Sequence, residues 1–267
     1  MKKHALLLAA GGLFAILASL QANDAAAAAA AAAPSSSWVV TPTFVSQYML
    51  RGVRLGGPAF QPAVEFDSGA LALGIWTSLP LKNKVPGQSD PEVDPYGSYT
   101  IELVKDTLTL QPGFTLYTYP RAEKSNGFYK TTFEPSIALN YTTGVGAKFT
   151  PKIYQDLVLD GTTFELSAAW AIVLEELSME LDFTGTAGTF KWEDAFEDTT
   201  QKAKNWGNYW LLGVAAPFGI TEDTKLTVGW AYTKGTENYT KVGSTPKTSN
   251  SSAVGRGVVT ISCAIAF

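Results

Sequence analysis

The sequence is poor in the residues that most enzymes and metal sites use. It has one histidine, His4, and one cysteine, Cys263. His4 lies in a segment that we expect to be removed on export, so no histidine remains for a catalytic pair or a metal ligand. A single cysteine cannot form an intrachain disulfide. With no glycine-rich phosphate loop and no paired-cysteine pattern either, we expect no enzyme, no cofactor and no metal site.

Charge and long apolar runs are also scarce. Asp, Glu, Lys and Arg make up 16% of the chain and the net charge is −4, so no basic surface for nucleic acid is expected. Beyond residue 37 no apolar run approaches the roughly 20 residues of a membrane helix. The same region is rich in Trp, Tyr, Phe, Thr and Gly, a composition that favours strands.

The N-terminal segment has the layout of a secretory signal peptide. Two lysines precede an apolar run, 5–20, and small residues follow it, which predicts a signal peptide over 1–22 cleaved after Ala22. An uncleaved membrane anchor is the alternative, although the run is short for one. Residues 23–37 form an Ala-rich low-complexity linker. The folded domain is therefore expected over 38–267.

Alternation of apolar and polar residues predicts twelve strands in this domain. Most are about the 9 to 11 residues that a tilted strand needs to cross a bilayer. The predicted strands are 38–48, 59–67, 71–79, 95–104, 108–119, 130–141, 145–155, 163–174, 177–190, 209–217, 225–234 and 257–267.

The connections between these strands alternate in length. The short ones are 68–70, 105–107, 142–144, 175–176 and 218–224. The longer ones are 49–58, 80–94, 120–129, 156–162, 191–208 and 235–256. This layout predicts an all-β fold, an antiparallel transmembrane β-barrel of about 12 strands with short periplasmic turns and longer extracellular loops. Such a protein would reside in the outer membrane of a Gram-negative bacterium.

The last predicted strand shows the two faces expected of such a barrel. Val259 and Ile261 would face lipid, whereas Thr260 and Ser262 would face the interior. The alternative, a soluble β-sandwich or lipocalin-like barrel, would turn its apolar face inward and use shorter strands. The chain ends at Phe267, and barrels of this class commonly end in an aromatic residue that the barrel-assembly machinery reads. Outer-membrane lipid and that machinery are therefore the expected partners.

Three segments carry a family resemblance. Residues 46–52 read Ser-Gln-Tyr-Met-Leu-Arg-Gly, residues 58–62 open with Pro-Ala, and residues 74–78 read Gly-Ile-Trp-Thr-Ser. They resemble a family of bacterial outer-membrane proteins often labelled TorF-type, whose members open with Ser-x-Tyr-x-x-Arg-Gly. Residues 62–66 depart from the acidic, glycine-rich hairpin usual in that family. The resemblance implies an outer-membrane barrel of largely uncharacterised function.

The same alternation selects charged residues for the interior. Arg51, where the first strand enters a long loop, would form a rim salt bridge that fixes the loop, or meet an anion. Lys148 and Lys152 share one face and would form a positive patch. Trp76 also falls on the interior face. The lumen and mouth candidates are Arg51, Glu65, Glu102, Glu134, Lys148, Lys152, Glu165, Glu180 and Asp182.

Two functions follow from a polar interior and long loops. The first is a porin-like role in the passage or binding of small polar solutes. The second is a closed structural or interaction barrel, in which the loops 191–208 and 235–256 bind an envelope or external partner. A carboxylate-based enzyme is a third, and the least favoured, because paired carboxylates need a pocket that the sequence does not show.

Overall fold

The computed structural model describes residues 36–83, 91–122, 130–177, 179–193, 206–236, 241–242, 245–246 and 255–267. The predicted signal peptide and nearly all of the predicted linker lie outside the described residues. Among the described residues, no helix is both long enough and apolar enough to cross a membrane.

The described chain is almost entirely antiparallel strand, and twelve strands make up its main sheet. They are β1 (Ser36–Thr41 and Thr43–Val45), β2 (Ala59–Phe60 and Ala63–Ser68), β3 (Leu71–Pro80), β4 (Glu92–Tyr99 and Ile101–Val104), β5 (Leu108–Thr118), β6 (Thr131–Thr142), β7 (Lys148–Asp156), β8 (Gly161–Leu174), β9 (Met179–Trp192), β10 (Gly207–Gly219), β11 (Thr224–Gly235) and β12 (Arg256–Ala266).

Three smaller elements lie in the connections. A short 3-10 helix, Glu175–Leu177, joins β8 to β9. The two-residue strands Lys241–Val242 and Thr245–Pro246 pair with each other between β11 and β12. A hairpin of Tyr48–Leu50 and Val53–Gly56, which we call the inner hairpin, separates β1 from β2.

The sheet closes on itself. Each strand pairs antiparallel with the next, and β12 pairs with β1, where Val39 is opposite Ala266 and Thr43 is opposite Ser262. No strand edge of the barrel is therefore left open at this junction. The structure confirms the predicted all-β, 12-stranded antiparallel barrel.

Prolines interrupt β1 and β2 without breaking the ladder. Pro42 and Pro62 have no N–H to donate, so each divides its strand in two. Their carbonyl oxygens still accept hydrogen bonds, from the Cys263 N–H at 3.1 Å and the Thr77 N–H at 3.0 Å. Each strand therefore runs the full height of the wall.

The two faces of the barrel differ as the alternation predicts. On β12, Val259 is 41% exposed and Ile261 is 44% exposed on the outside, whereas Val258, Thr260 and Ser262 are buried inside. Large apolar side chains of the other strands are exposed in the same outward register, among them Ile137. A continuous apolar exterior of this kind suits contact with lipid.

Two predicted connections differ from the structure. The predicted long loop 156–162 is a turn of four residues, 157–160, because Asp156 Oδ1 accepts the backbone N–H groups of Val158 and Leu159 and closes a tight turn. The predicted external loop 49–58 instead contains the inner hairpin, whose residues are mostly buried inside the barrel.

Candidate functional site

The inner hairpin turns at two residues, Arg51 and Gly52. Both have positive φ, 48° at Arg51 and 74° at Gly52. A two-residue turn with left-handed backbone at both positions matches the twist of the strands that it joins. The tip also touches the wall, because a Cβ on Gly52 would lie 2.5 Å from the backbone nitrogen of Gly235 on β11. Glycine is therefore required at this position for two reasons: the backbone is left-handed, and there is no room for a side chain.

Apolar side chains of the hairpin pack against one side of the barrel. Met49 forms a buried cluster with Leu211, Ala231 and Val258, which belong to β10, β11 and β12. Since Met49 is only 6% exposed, this part of the lumen is filled by side chains.

A second cluster extends the contact to β9. Val53 packs with Phe190 and Tyr209, and Leu55 and Trp192 pack against that group. At the base of the hairpin, the Tyr48 ring lies 5.6 Å from the ring of Trp76 on β3. The hairpin therefore crosses the lumen between β3 and the wall formed by β9 to β12, and it confirms the inward position predicted for Trp76.

Arg51 ties the hairpin to a third part of the wall. Its guanidinium donates to both carboxylate oxygens of Glu134 on β6, at 2.9 and 2.7 Å, and the side chains are 3% and 2% exposed. Tyr117 on β5 donates its hydroxyl to the same carboxylate at 3.0 Å. The guanidinium carbon lies 4.8 Å from the ring centre of Tyr154 and 5.7 Å from that of Trp192. Two parallel hydrogen bonds of this type fix orientation as well as distance.

The charge of Arg51 is retained in this setting. Burial is the largest single influence and disfavours the charged guanidinium, but the charge and hydrogen bonds of Glu134 together with Tyr117 and Tyr209 offset it, so the pKa of Arg51 lies well above its ordinary value. The prediction of an ion pair that fixes the loop is therefore correct in kind. The pair lies within the lumen rather than at the rim.

A second carboxylate lies beside this ion pair. Glu165 on β8 accepts the hydroxyls of Tyr154, at 3.0 Å, and Tyr209. Arg51 and Lys152 both act electrostatically on Glu165. The Lys152 ammonium also lies 4.5 Å from the ring centre of Tyr154. Adjacent strands thus present a mixed-charge group around the hairpin tip.

Tyr209 reaches Glu165 across a glycine. Glu165, Gly188 and Tyr209 are directly opposite one another on β8, β9 and β10. A Cβ on Gly188 would overlap the Tyr209 ring, so the absence of a side chain lets the ring lie flat over the middle strand. The hydroxyl therefore meets a carboxylate two strands away.

The same arrangement recurs on the other side of the barrel. Glu65, Gly74 and Tyr96 are opposite one another on β2, β3 and β4. The Tyr96 ring covers Gly74, and its hydroxyl donates to Glu65 at 2.6 Å. Two Glu-Gly-Tyr rows thus join strands by side chains in addition to the backbone ladder.

The interior is also lined by acidic residues that the sequence analysis did not predict. Glu92 accepts the Tyr119 hydroxyl at 2.9 Å, and Asp94 accepts the Thr118 N–H at 3.1 Å. Asp67 on β2 and Asp156 on β7 are buried on the same inward face. Asp67 closes the predicted strand 59–67, so the alternation already contained the signal for it.

The structure brings most of the predicted candidates to the interior. Arg51, Glu134, Lys152 and Glu165 come together at the hairpin tip. By register the other inward members are Glu65, which is buried, and Lys148, Glu180 and Asp182, which are half-buried. Whether these residues act on a solute stays a prediction.

Glu102 is the exception among the predicted lumen residues. It keeps inward parity, but it lies on the final exposed part of β4, beyond the enclosed interior. Its carboxylate accepts the backbone N–H of Asp106 at 3.1 Å and so caps the turn to β5. The predicted lumen position of Glu102 was wrong because the residue lies too close to the end of β4, although it is on the inward face. Among the described residues no group of three or more His, Cys, Asp or Glu could hold a metal ion.

A family model described as a bacterial protein of unknown function, Gcw_chp, matches residues 29–262. Among curated proteins no relative matches the sequence. The TorF-type label stays a prediction, since the matching family does not carry it.

Two solved structures with a similar fold are porins. A structure described as the NanC porin is 11% identical with a TM-score of 0.51, covering 85% of this chain and 98% of that one. A structure described as the KdgM porin is 9% identical with a TM-score of 0.52, covering 86% of this chain and 99% of that one. At these identities the likeness shows the fold, which is that of an outer-membrane β-barrel.

Proposed function

Since the chain belongs to the Gcw_chp family of bacterial proteins of unknown function, we propose its role from the barrel itself: a porin-like passage or binding of small polar solutes. The proposed location is the outer membrane, where the apolar exterior would contact lipid. The last strand, which ends beside Phe267, is the segment that the barrel-assembly machinery would read. We propose no catalytic role for the chain.

The observation that carries the proposal is the inner hairpin seated in a polar lumen. The inward face of the strands is rich in Thr, Ser, Glu and Asp side chains, several of which are paired with tyrosine hydroxyls. Such a surface suits water and polar solutes. The hairpin, held at its tip by Arg51 and Glu134, occupies part of the cross-section. Any solute that passes must therefore be small and must contact polar side chains around the tip.

The two similar structures support the proposal only through their fold. Both are described as porins, and each is covered almost completely by this chain. A barrel of twelve strands is narrow enough for side chains and one infolded element to control its bore. The solute class depends on the residues that line this chain's own lumen.

The direct test is a planar-bilayer recording of the refolded barrel with salts and neutral sugars. We expect discrete conductance steps, and a reduction of the step size by sugars small enough to enter the lumen. Compact, heat-modifiable gel mobility serves as the control that the inserted protein is folded. A folded protein that gives no conductance at any voltage would refute the proposed passage.

A closed interaction barrel is the second candidate, and the burial of the hairpin favours it. Met49, Leu50 and Val53 are 6%, 8% and 7% exposed, so the lumen beside β9 to β12 is filled. In this case the connections 191–208 and 235–256, which lie mostly outside the described residues, would bind an envelope or external partner. Absence of conductance together with loss of partner binding on deletion of either loop would favour this role over passage.

A further inference from the structure

Charge is unevenly distributed around the barrel wall. The described strands β1 to β5 contain no lysine and no arginine. Four carboxylates on two of them point inward, and we call them the acidic wall: Glu65 and Asp67 on β2, with Glu92 and Asp94 on β4. All four are at most 7% exposed.

The basic side chains lie on the remaining strands. Lys148 and Lys152 face inward from β7, Lys225 from β11 and Arg256 from β12. The inner hairpin adds Arg51, whose charge is matched by Glu134, and Arg54, which donates to Gln47 and to the Asn83 carbonyl just after β3. The lumen therefore has an acidic side over β2 to β4 and a mixed side over β6 to β12.

Neutral groups hold three of the wall carboxylates in position. Tyr96 donates to Glu65, Tyr119 donates to Glu92, and the backbone N–H of Thr118 donates to Asp94. A hydroxyl or an amide orients a carboxylate but does not cancel its charge. Carboxylates that share one face repel one another unless a proton or a cation lies between them.

Asp67 and Trp76 are among the residues on this side of the barrel that have buried polar atoms without a hydrogen-bond partner in the described part of the chain. Both carboxylate oxygens of Asp67 are unpartnered, and its side chain is 6% exposed. The indole Nε1 of Trp76, on the strand between the two acidic ones and opposite Asp94, is also unpartnered. A buried carboxylate without a partner is costly, so Asp67 is an acceptor that either a proton or a cation would satisfy.

We propose that the acidic wall binds small cations, namely alkali-metal ions and primary ammonium groups, and that the lumen consequently prefers cations to anions. A cation near the wall would contact carboxylate oxygens already oriented by Tyr96, Tyr119 and Thr118. An anion on the same path would meet four carboxylates and no base on the adjacent strands. The passage of the cation rests on the proposed porin-like role, whereas its binding does not.

The first experiment measures ion preference in the refolded barrel. A KCl gradient across a planar bilayer gives the reversal potential and hence the potassium-to-chloride permeability ratio, and ethylammonium chloride replaces KCl in a second arm. We expect both cations to be preferred over chloride. Asp67→Asn should lower the ratio severalfold, because the lost charge both attracts cations and repels anions through water. The preference should also weaken at high ionic strength, where the charges are screened.

A matched control separates the wall from general charge loss. Glu176→Gln removes one acid from the exposed 3-10 helix outside the lumen, and it should leave the ratio unchanged. If Asp67→Asn disturbs folding, Glu65→Gln tests the same wall. An anion preference in the wild type, or equal ratios in the wild type and the folded wall variants, would overturn the proposal.

The second experiment does not need conductance. The difference in fluorescence between the wild type and Trp76→Phe isolates the emission of Trp76, and caesium and iodide act as cationic and anionic collisional quenchers. We expect caesium to quench this emission more than iodide does, and Asp94→Asn to reduce the caesium effect. Stronger quenching by iodide, or by neither ion, would overturn the cation site. A barrel without conductance but with caesium quenching would refute only the porin-like role.

Discussion

Replacing Arg51 by alanine should weaken the attachment of the inner hairpin to the barrel wall while leaving the barrel intact. The hairpin is not part of the barrel ladder, and its tip is held by the two hydrogen bonds from Arg51 to Glu134. Arg51→Ala removes both, together with the ring contacts to Tyr154 and Trp192. It leaves the Glu134 carboxylate, 2% exposed, without its counter-charge.

The size of the effect follows from burial. Removing one partner of a buried ion pair costs about 3 to 5 kcal/mol. Tyr117 still donates to Glu134, so we expect the lower end, about 3 kcal/mol. The burial of Met49, Leu50 and Val53 contributes about 1.5 to 3 kcal/mol each, or roughly 5 to 9 kcal/mol together. The variant hairpin should therefore remain docked most of the time but open about a hundredfold more often.

Hydrogen–deuterium exchange of the refolded protein measures this opening. Amides of the hairpin should exchange about a hundredfold faster in Arg51→Ala, whereas those of β9 should keep their protection. The double variant Arg51→Ala/Glu134→Gln removes the orphaned charge, so it should open less than the sum of the two single variants predicts. Unchanged exchange in Arg51→Ala, or strictly additive effects in the double variant, would refute the reasoning.

Two further perturbations test other parts of the structure. Gly74→Ala places a methyl group where the Tyr96 ring lies, so the ring must move and lose its hydrogen bond to Glu65. The free energy of unfolding should fall by about 1 to 3 kcal/mol. In the control Gly219→Ala nothing lies within 4 Å of the new Cβ, so the loss should be under about 0.5 kcal/mol. The two unfolding temperatures, read from heat-modifiable gel mobility, should differ accordingly. Ile137→Lys adds a charge to the outer face and should lower the free energy of unfolding by about 2 to 4 kcal/mol in lipid vesicles. Val145→Lys, in a short turn and 77% exposed, should change it by less than about 1 kcal/mol, and equal losses would contradict the lipid-facing register.

Most of the barrel could be predicted from the sequence because period-2 alternation survives in nearly every strand. The strands predicted over 225–234 and 257–267 agree with β11 and β12 to within a residue at each end. Pro62 did not spoil the prediction, since the predicted strand 59–67 agrees with β2, whereas the predicted strand 95–104 misses the first three residues of β4.

The interior was harder to predict than the wall. Alternation predicts which face of the barrel wall a residue lies on, but not its position along the barrel axis. For that reason Glu102 was expected in the lumen, although it lies beyond the end of the lumen. Alternation also gives no information on a loop that folds back inside. The available signal was composition, since Tyr48 to Leu50 is unusually apolar for an external loop and is entirely buried in the structure.

The segment that carries the family resemblance is the one that seats the inner hairpin. Ser46 anchors its base, exchanging hydrogen bonds of 2.9 Å with the backbone of Val259 on β12. Tyr48 packs on Trp76, Arg51 pairs with Glu134, and Gly52 meets the backbone of Gly235. In Ser-x-Tyr-x-x-Arg-Gly, therefore, each specified residue makes one contact between the hairpin and a different part of the wall. A motif of this kind encodes the position of an element inside the barrel, so its loss should change what the lumen admits before it changes whether the barrel folds.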